Sequence, residues 1–474
     1  MADAVDISPG TEAQAISPIL PLVIACGLFM AQLDSTIIAT SIPQMAQGLD
    51  VSPLRLNLAI TSYLITLAVF VPISGWLADR FGPRRIFCLA LMLFTGGSML
   101  CGLSVNFSML VATRILQGIG GALMTPVGRL ILIRTYPKDQ MITAMAYASI
   151  PATFGPAIGP LLGGVLTAYA SWRWIFYINL PIGILGVVLA LRYIKDFTTP
   201  PPAAFDFRGF VMVGVGLGTL AVGIEYLGRN LMPGLELAGL FAAAAIVLTA
   251  YVLHARGRAD PVLDLKLFRV PTFRTSTIAG GLCRFAIGSV PFMLPLLLQV
   301  GFGLGPLQSG VLTFVTSIGQ MLNKTMVSGM LRRFGFRNLL AGNSLILGPL
   351  IAGLAAFTAS TPHWILWVYL IAYGFVRSVQ FTSVNALAYA DLAPTIMSKG
   401  TSLASVMQQL SMSFGVAIAA SLLTLEAGPS ARLVASDFGP VFLIIGVLPL
   451  IASVGFMRLP ADSGAHVTGH RRAE

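Results

Sequence analysis

The hydrophobic pattern of this chain consists of long apolar runs separated by short polar connections. A helix needs about 20 apolar residues to cross a bilayer core of roughly 30 Å. Fourteen runs qualify, at residues 19–42, 56–78, 86–104, 107–133, 142–167, 174–194, 208–228, 233–254, 272–300, 307–330, 339–358, 364–388, 400–424 and 438–457. The pattern therefore predicts an all-α integral membrane protein with fourteen transmembrane helices, and it excludes barrel strands, which would alternate over short segments.

Basic residues are concentrated in every second connection. If the N-terminus is cytoplasmic, 20 Lys and Arg residues lie on the inner side and only four lie outside, namely Arg55, Arg173, Arg229 and Arg432. Cytoplasmic loops of membrane proteins carry such an excess of positive charge. We therefore expect both termini in the cytoplasm, and an odd number of helices would destroy this bias.

Two of the basic connections share a motif. GWLADRFGPRR (75–85) follows the second predicted helix, and GMLRRFGFRN (329–338) follows the tenth. These helices are equivalent if helices seven and eight are inserted between two six-helix halves, and repeated halves are typical of transporters. We predict a cytoplasmic tail (1–18), an N-terminal six-helix bundle (19–197), a linker with two inserted helices (198–270), a C-terminal six-helix bundle (271–457) and a second cytoplasmic tail (458–474).

Composition supports a membrane protein and limits its partners. Hydrophobic residues make up 56% of the 474 residues and charged residues 10%, whereas soluble domains carry roughly a quarter charged residues. The net charge of +11 is not gathered into one patch, so we expect membrane lipids and no nucleic acid as partners. Four cysteines lie singly in apolar runs and predict neither disulfides nor a metal site. The first 17 residues lack Lys and Arg, so we expect no cleaved signal peptide and a first helix that stays in the membrane.

Five basic residues remain inside the predicted spans: Arg114, Arg129, Arg284, Lys324 and Arg377. Intramembrane charges are costly and are usually functional. Arg129 and Lys324 lie near the inner ends of their helices, where long side chains can also reach the headgroups. Arg284 and Arg377 lie near mid-membrane and require a water-filled cavity or an acidic partner, and purely structural pairing is the alternative.

Asp34 is the carboxylate that lies clearly inside a predicted transmembrane helix, and its depth in the membrane matches that of Arg114. Asp34 lies about eight residues, roughly 12 Å, below the outer end of its helix, and Arg114 lies about seven residues, roughly 10 Å, below the same boundary. We predict that the two residues pair. Burial disfavours the charged form of a carboxylate while a neighbouring Arg favours it, so opening and closing the pair would move a proton. A static structural ion pair is the alternative.

Two further stretches predict moving parts. In PATFGPAIGPLLGG (151–164), a glycine recurs every fourth residue and allows close helix packing, while the prolines weaken or bend the helix. Packing alone explains the glycines, but the prolines indicate a deformable gate formed by Gly155, Pro156, Gly159, Pro160 and Gly163. In GWLADRFGPRR, the acidic residue Asp79 adds nothing to the positive charge that a cytoplasmic loop needs. We therefore expect Asp79 to cap a helix or to pair with a cation on another helix, as part of a conformational latch made of Gly75, Asp79, Arg80 and Arg84.

An enzyme has little support in this sequence. The four histidines lie at helix ends or in the C-terminal tail, and there is no HExxH motif or Walker loop. We expect no cofactor, and the energy for any transport to come from a proton gradient.

At this point the motifs identify a family. LDSTIIATSIP (33–43), GWLADRFGPRR, RILQGIGGAL (114–123), GPAIGPLLGG (155–164) and SWRWIFYINLPIG (171–183) resemble the major facilitator superfamily, in its fourteen-helix drug:proton antiporter branch. The resemblance covers essentially the whole chain. It implies two six-helix bundles that rock around a central cavity and exchange cytoplasmic substrate for protons. Asp34 and Arg114 would couple protons, and Asp79 would be the latch.

The substrate stays open at the level of sequence. We expect a monomeric multidrug-type exporter in the bacterial inner membrane that acts on small molecules. Because one intramembrane acid faces up to five basic residues, an exporter of organic anions or of metal-chelate carboxylates such as citrate-like acids is a close competitor. A sensor or lipid scramblase on the same fold is a third possibility. The predicted substrate cavity consists of Gln32, Gln117, Arg284, Lys324, Arg377 and Gln408.

Overall fold

A computed structural model describes residues 19–136, 138–195, 204–227, 233–258, 260–393, 396–428, 433–460 and 462–465. Most of both predicted tails lies outside these residues. The described residues form fourteen long helical segments: α1 Ile19–Gly48, α2 Asn57–Phe81, α3 Pro83–Gly102, α4 Phe107–Thr135, α5 Lys138–Tyr169, α6 Trp174–Tyr193, α7 Phe207–Leu227, α8 Gly234–Arg256, α9 Pro271–Leu296, α10 and α11 within Pro306–Ala352, α12 His363–Ala390, α13 Met397–Ala427 and α14 Phe438–Met457. The predicted all-α membrane fold is confirmed.

The fourteen segments agree with the fourteen predicted spans in position. Twelve of them are long and apolar enough to cross a membrane on the described residues alone. The other two, α5 and α10, occupy the predicted spans 142–167 and 307–330. The chain is therefore a multi-pass membrane protein.

Three predicted helix ends were wrong. The first helix was predicted to end at residue 42, but a 3₁₀ turn at Ile38–Ser41 leads into another two helical turns that end at Gly48. The second helix continues past residue 78 to Phe81. Spans ten and eleven follow one another without a loop, as a run of 47 helical residues broken at Gly335. Polar and basic residues continue a helix beyond the bilayer, so hydropathy alone does not locate the end.

The repeated RFG motif has the same backbone role in both places. Gly82 ends α2 with φ of 92°, and Gly335 separates α10 from α11 with φ of 67°. A positive φ is readily adopted only by glycine, so each motif makes a sharp helix-to-helix turn. We call the end of the bundle that carries these two turns the basic side.

The helices pack as two groups with a third element between them. In the N-terminal half, α1 packs on α5 and α4 packs on α2 and α3; in the C-terminal half, α10 and α11 pack on α12 and α14, and α9 packs on α13. The hairpin of α7 and α8 contacts α2 of one half and α13 of the other, with Phe210 of α7 and Phe70 of α2 stacked edge to face at 5.4 Å. The inserted pair therefore lies against both halves at their boundary.

The two halves are joined away from the basic side. The Gln299 side-chain amide donates to the Thr40 carbonyl at 2.8 Å, and its carbonyl oxygen accepts from Gln44 at 3.1 Å. A Cβ atom on Gly164 of α5 would lie 2.6 Å from the Pro306 carbonyl of α10, so these helices touch at backbone distance. Both contacts close the end of the bundle opposite the basic side.

Candidate functional site

The predicted Asp34–Arg114 pair is present and completely buried. Nη1 of Arg114 donates to Oδ2 of Asp34 at 2.6 Å, and each side chain is only 1% exposed. The pair forms at the expected depth although α1 does not end at residue 42, as its hydropathy predicts, but continues to Gly48. The residues beyond residue 42 lengthen α1 at its C-terminal end and do not change the depth of Asp34 relative to Arg114.

Gln117 completes the pair instead of lining an open cavity. Its Nε2 donates to Oδ1 of Asp34 at 2.8 Å, and its Oε1 accepts from Nη1 of Arg114 at 2.7 Å. Because the spacing of three residues places Gln117 and Arg114 on one helix face, one amide bridges both charges. Its side chain is fully buried, so Gln117 contacts the ion pair in this structure, and its role in a substrate cavity stays a prediction.

Two contacts that the sequence did not predict surround this cluster. Nε of Arg114 donates to the backbone carbonyl of Ala59 at 3.1 Å, and Sγ of Cys101 donates to Oε1 of Gln117 at 3.6 Å. Charge-assisted hydrogen bonds inside a protein are among the stronger ones because the local dielectric is low. Neither contact can be predicted from the sequence, because every residue has a backbone carbonyl and a single cysteine in an apolar run is typical of a core residue.

Small residues bring the helices close enough for this cluster. A Cβ atom on Gly97 of α3 would lie 2.8 Å from Cα of Gln117, and one on Gly120 would collide with the backbone of Phe94. Such approach is possible only where a helix lacks a side chain. The glycines of RILQGIGGAL therefore fix α4 against its neighbours and set the position of Gln117.

Asp79 pairs with a cation on another helix. Nη2 of Arg134, in the last turn of α4, lies 2.6 Å from Oδ1 of Asp79, and both side chains are partly exposed. The other predicted latch residues differ in their surroundings: Arg84 donates to the Leu191 carbonyl of α6, while Gly75 and Arg80 are exposed. The pair lies within the N-terminal half on the basic side, and the latch role stays a prediction.

The glycines of the predicted gate helix pack against α1. A Cβ atom on Gly155 would lie 2.9 Å from the backbone nitrogen of Leu33, and atoms on Gly159 and Gly163 would overlap the next turns of α1. Pro156 and Pro160 lie inside the same helix, which is continuous. Packing thus accounts for the glycines, and Gly155 packs on the backbone of Leu33, the residue before Asp34.

Arg284 lies in the C-terminal half with neutral neighbours. Its Nη2 donates to Oδ1 of Asn385 at 2.7 Å and its Nη1 to the Ser276 carbonyl at 3.2 Å. The residue is 3% exposed, and its buried Nε has no hydrogen-bond partner among the described residues. No described carboxylate forms an ion pair with it, so within the described part of the chain its positive charge is stabilised by neutral groups alone.

The other predicted cavity residues are not brought together at the ion pair. Gln32 is exposed on α1, Gln408 is half-buried on α13, and Arg377 is half-buried on α12 beside the Tyr373 hydroxyl. The side chain of Lys324 lies outside the described residues. The structure therefore places only Gln117 of the predicted set in the buried cluster, and the other described members lie apart from it on α1, α9, α12 and α13.

A second buried carboxylate lies outside the predicted site, at the start of α7. Asp206 accepts from Nε2 of His254 at 2.8 Å, from the backbone of Gly209 at 3.1 Å and from that of Val262 at 3.4 Å, and Arg258 lies 3.4 Å away. Burial opposes its charge, but the hydrogen bonds outweigh it and lower the pKa of Asp206 below its usual value. The cluster ties both inserted helices to the segment that leads into α9.

The comparisons with known proteins agree with this architecture. Residues 24–416 match the family model of the Major Facilitator Superfamily. The chain is 39% identical over 457 residues to the "Putative multidrug resistance protein MdtD" of Escherichia fergusonii and 38% identical over 456 residues to that of Salmonella heidelberg, covering 95% of this chain and 96% of each relative. The crystal structure of a D-xylose-proton symporter superposes with a TM-score of 0.68 at 16% identity, covering 94% of this chain and 98% of that one.

Proposed function

The chain belongs to the major facilitator superfamily and is a membrane transport protein, not an enzyme; from that premise we propose that it is a proton-coupled exporter. It exchanges protons for small molecules from the cytoplasm, as a multidrug-type antiporter. The observation that carries this proposal is the fully buried cluster of Asp34, Arg114 and Gln117. A buried carboxylate that exchanges one strong partner for a proton is the simplest device for coupling protons to movement of the helices that carry it.

The chemistry of the exchange follows from the contacts. While Asp34 is charged, Arg114 and Gln117 hold it between α1 and α4. Protonation of Oδ2 removes the negative charge that attracts Arg114, and the ion pair becomes a weaker contact between the guanidinium and a neutral carboxylic acid. Because α1 is also packed backbone to backbone against α5, a shift of α1 carries α5 and its contact with α10 in the other half. Proton exchange at Asp34 is thereby linked to opening and closing of the end that is closed here.

Orientation and assembly belong to the same proposal. The excess of basic residues on one side supports a cytoplasmic position for that side and for both termini. The protein then lies in the bacterial inner membrane as a monomer, with its closed end toward the periplasm. Protons enter from outside and small molecules leave from the cytoplasm.

The test uses purified protein in proteoliposomes, with ethidium as the transported probe. A proton gradient should drive ethidium across the membrane, and an opposing ethidium gradient should release protons detected by a pH-sensitive dye. Asp34→Asn should abolish both signals, whereas Asp50→Asn, at an exposed carboxylate after α1, should leave them unchanged. Full coupling in Asp34→Asn would refute the role of this residue. Ethidium or lipid movement that ignores the gradient would instead favour a sensor or scramblase.

A second candidate function is favoured by Arg284. Among the described residues Arg284 has no acidic partner and its Nε makes no hydrogen bond, and the side chain is only 3% exposed. A buried cation in such surroundings is costly unless a charge of opposite sign binds beside it. Arg129 of α4 and Arg284 of α9 both lie within electrostatic range of the Tyr389 hydroxyl on α12. Two cations from opposite halves thus lie near one hydroxyl, and an organic anion or a metal-chelate carboxylate bound there would interact favourably with both.

Citrate is the probe for this alternative. In the same vesicles, citrate should be transported or should compete with ethidium, and Arg284→Gln should remove that effect. Arg85→Gln, which deletes an exposed cation on the basic side, is the matched control. If citrate is neither carried nor competes, the cargo is not a carboxylate of this kind, while proton-coupled ethidium export stands.

A further inference from the structure

An aromatic ring covers the arginine of the buried ion pair. The guanidinium carbon of Arg114 lies 4.3 Å from the ring centroid of Tyr63 on α2, and Phe176 lies on a more distant side at 6.0 Å. Tyr63 is 1% exposed, so the contact is shielded from water. A cation over an aromatic face is attracted by the ring quadrupole, most strongly where both are desolvated.

Two glycines of α4 create this contact. A Cβ atom on Gly118 would lie 2.8 Å from Cβ of Thr66 and 3.1 Å from the Tyr63 carbonyl, and one on Gly121 would lie 3.0 Å from the Tyr63 hydroxyl. Any larger residue at either position would push α2 away from α4. The helix face that carries Arg114 is therefore shaped to seat the tyrosine ring.

The ring face, and not the hydroxyl, makes the contact. In the described part of the chain the Tyr63 hydroxyl is buried and has no hydrogen-bond partner. A buried hydroxyl without a hydrogen bond is unfavourable. In this conformation, therefore, the hydroxyl does not explain why position 63 is a tyrosine. What Tyr63 supplies to Arg114 is the negative face of its ring.

The ring matters most in one protonation state. When Asp34 is charged, it neutralises Arg114 and the net charge seen by the ring is small. When Asp34 is protonated, the guanidinium keeps its full charge, and its remaining support comes from the Ala59 carbonyl, Gln117 and the ring. The ring therefore stabilises the protonated state more than the charged one.

We propose that Tyr63 is a positioning residue of the proton switch, whose ring retains Arg114 when Asp34 is protonated and so sets the pH at which Asp34 exchanges its proton. The inference rests on the proposed proton coupling and specifies its regulation. The titratable groups that face the pair from the described helices around it are Tyr63 of α2 and Cys101 of α3, while α5 meets α1 through glycines.

The experiment measures protonation of Asp34 directly and needs no transported ligand. Infrared difference spectra of the purified full-length protein are recorded across a pH series, and the carboxylic-acid carbonyl band that disappears in Asp34→Asn is assigned to Asp34. In Tyr63→Leu the midpoint of this band should move to lower pH by about one unit, a tenfold weaker proton affinity worth about 1.4 kcal/mol. In Tyr63→Phe, which keeps the ring, the midpoint should stay near that of the unmodified protein.

Two features keep the test decisive. A ring-fluorinated phenylalanine at position 63 keeps the shape but weakens the negative ring face, so it should shift the midpoint in the direction of Tyr63→Leu even if the leucine variant does not fold. An unchanged midpoint in both, or an equal shift in Tyr63→Phe, would overturn the inference while leaving proton coupling intact. If no titrating band depends on Asp34, the proton role of Asp34 is refuted, and the inference falls with it.

Discussion

Removing Arg114 should destabilise the protein through the carboxylate that it leaves behind. Arg114→Met deletes the hydrogen bonds to Asp34, Gln117 and the Ala59 carbonyl at 2.6, 2.7 and 3.1 Å and leaves Asp34 charged and buried. Breaking one side of a buried ion pair costs about 3–5 kcal/mol. The double variant Arg114→Met with Asp34→Leu removes both charges and should recover most of this loss, because apolar replacement of a buried pair is often neutral.

The magnitude translates into a measurable melting shift. With an unfolding entropy of about 2.1 cal/mol/K per residue, a chain of 474 residues loses about 1 °C of Tm for each 1 kcal/mol. Arg114→Met should therefore melt about 3–5 °C below the unmodified protein at pH 7, as followed by intrinsic fluorescence in detergent. The deficit should shrink in acid, because protonation of Asp34 removes the uncompensated charge. Equal melting of the single and double variants would refute the reasoning.

Three further outcomes are expected. Gly97→Ala should lower the Tm by about 1–3 °C, because overpacking costs about 1–3 kcal/mol. Gly96→Ala is the control and should leave the Tm unchanged, because a Cβ atom there meets nothing within 4 Å. Equal effects of the two substitutions would contradict close packing at Gly97. Asp206→Asn should melt lower than the unmodified protein at neutral pH. A lowered pKa gives stability that is present above the unfolded pKa of about 4 and is lost as the pH falls through the folded pKa, so the difference should shrink progressively below about pH 4. A pH-independent difference would exclude this origin. Asp79→Asn should change the Tm by under about 1 °C, since partly exposed ion pairs are weak. If Asp79 acts as a latch, the same substitution should slow ethidium transport severalfold. Unchanged transport would exclude the latch role.

Much of the candidate site was accessible from the sequence because membrane depth is one-dimensional. Counting residues along two helices placed Asp34 and Arg114 at matching depth, and the three-residue spacing placed Gln117 on the same helix face as Arg114. The same counting does not say whether a residue faces a cavity or a partner. Gln117 was therefore expected in the cavity although it bridges the ion pair, and Tyr63 was overlooked because an aromatic residue in an apolar helix carries no local signal.

The sequence by itself determined the membrane class, the number of helices, the charge asymmetry and the repeated turn, because hydropathy, charge and glycine act locally along the chain. Only the tertiary structure decided which neutral groups complete the ion pair, that Arg284 has no described acidic partner, and that the halves meet at the end away from the basic side. These facts depend on which helix faces which neighbour. That choice is made by close packing at glycines such as Gly97 and Gly164, whose contacts join residues far apart in the chain.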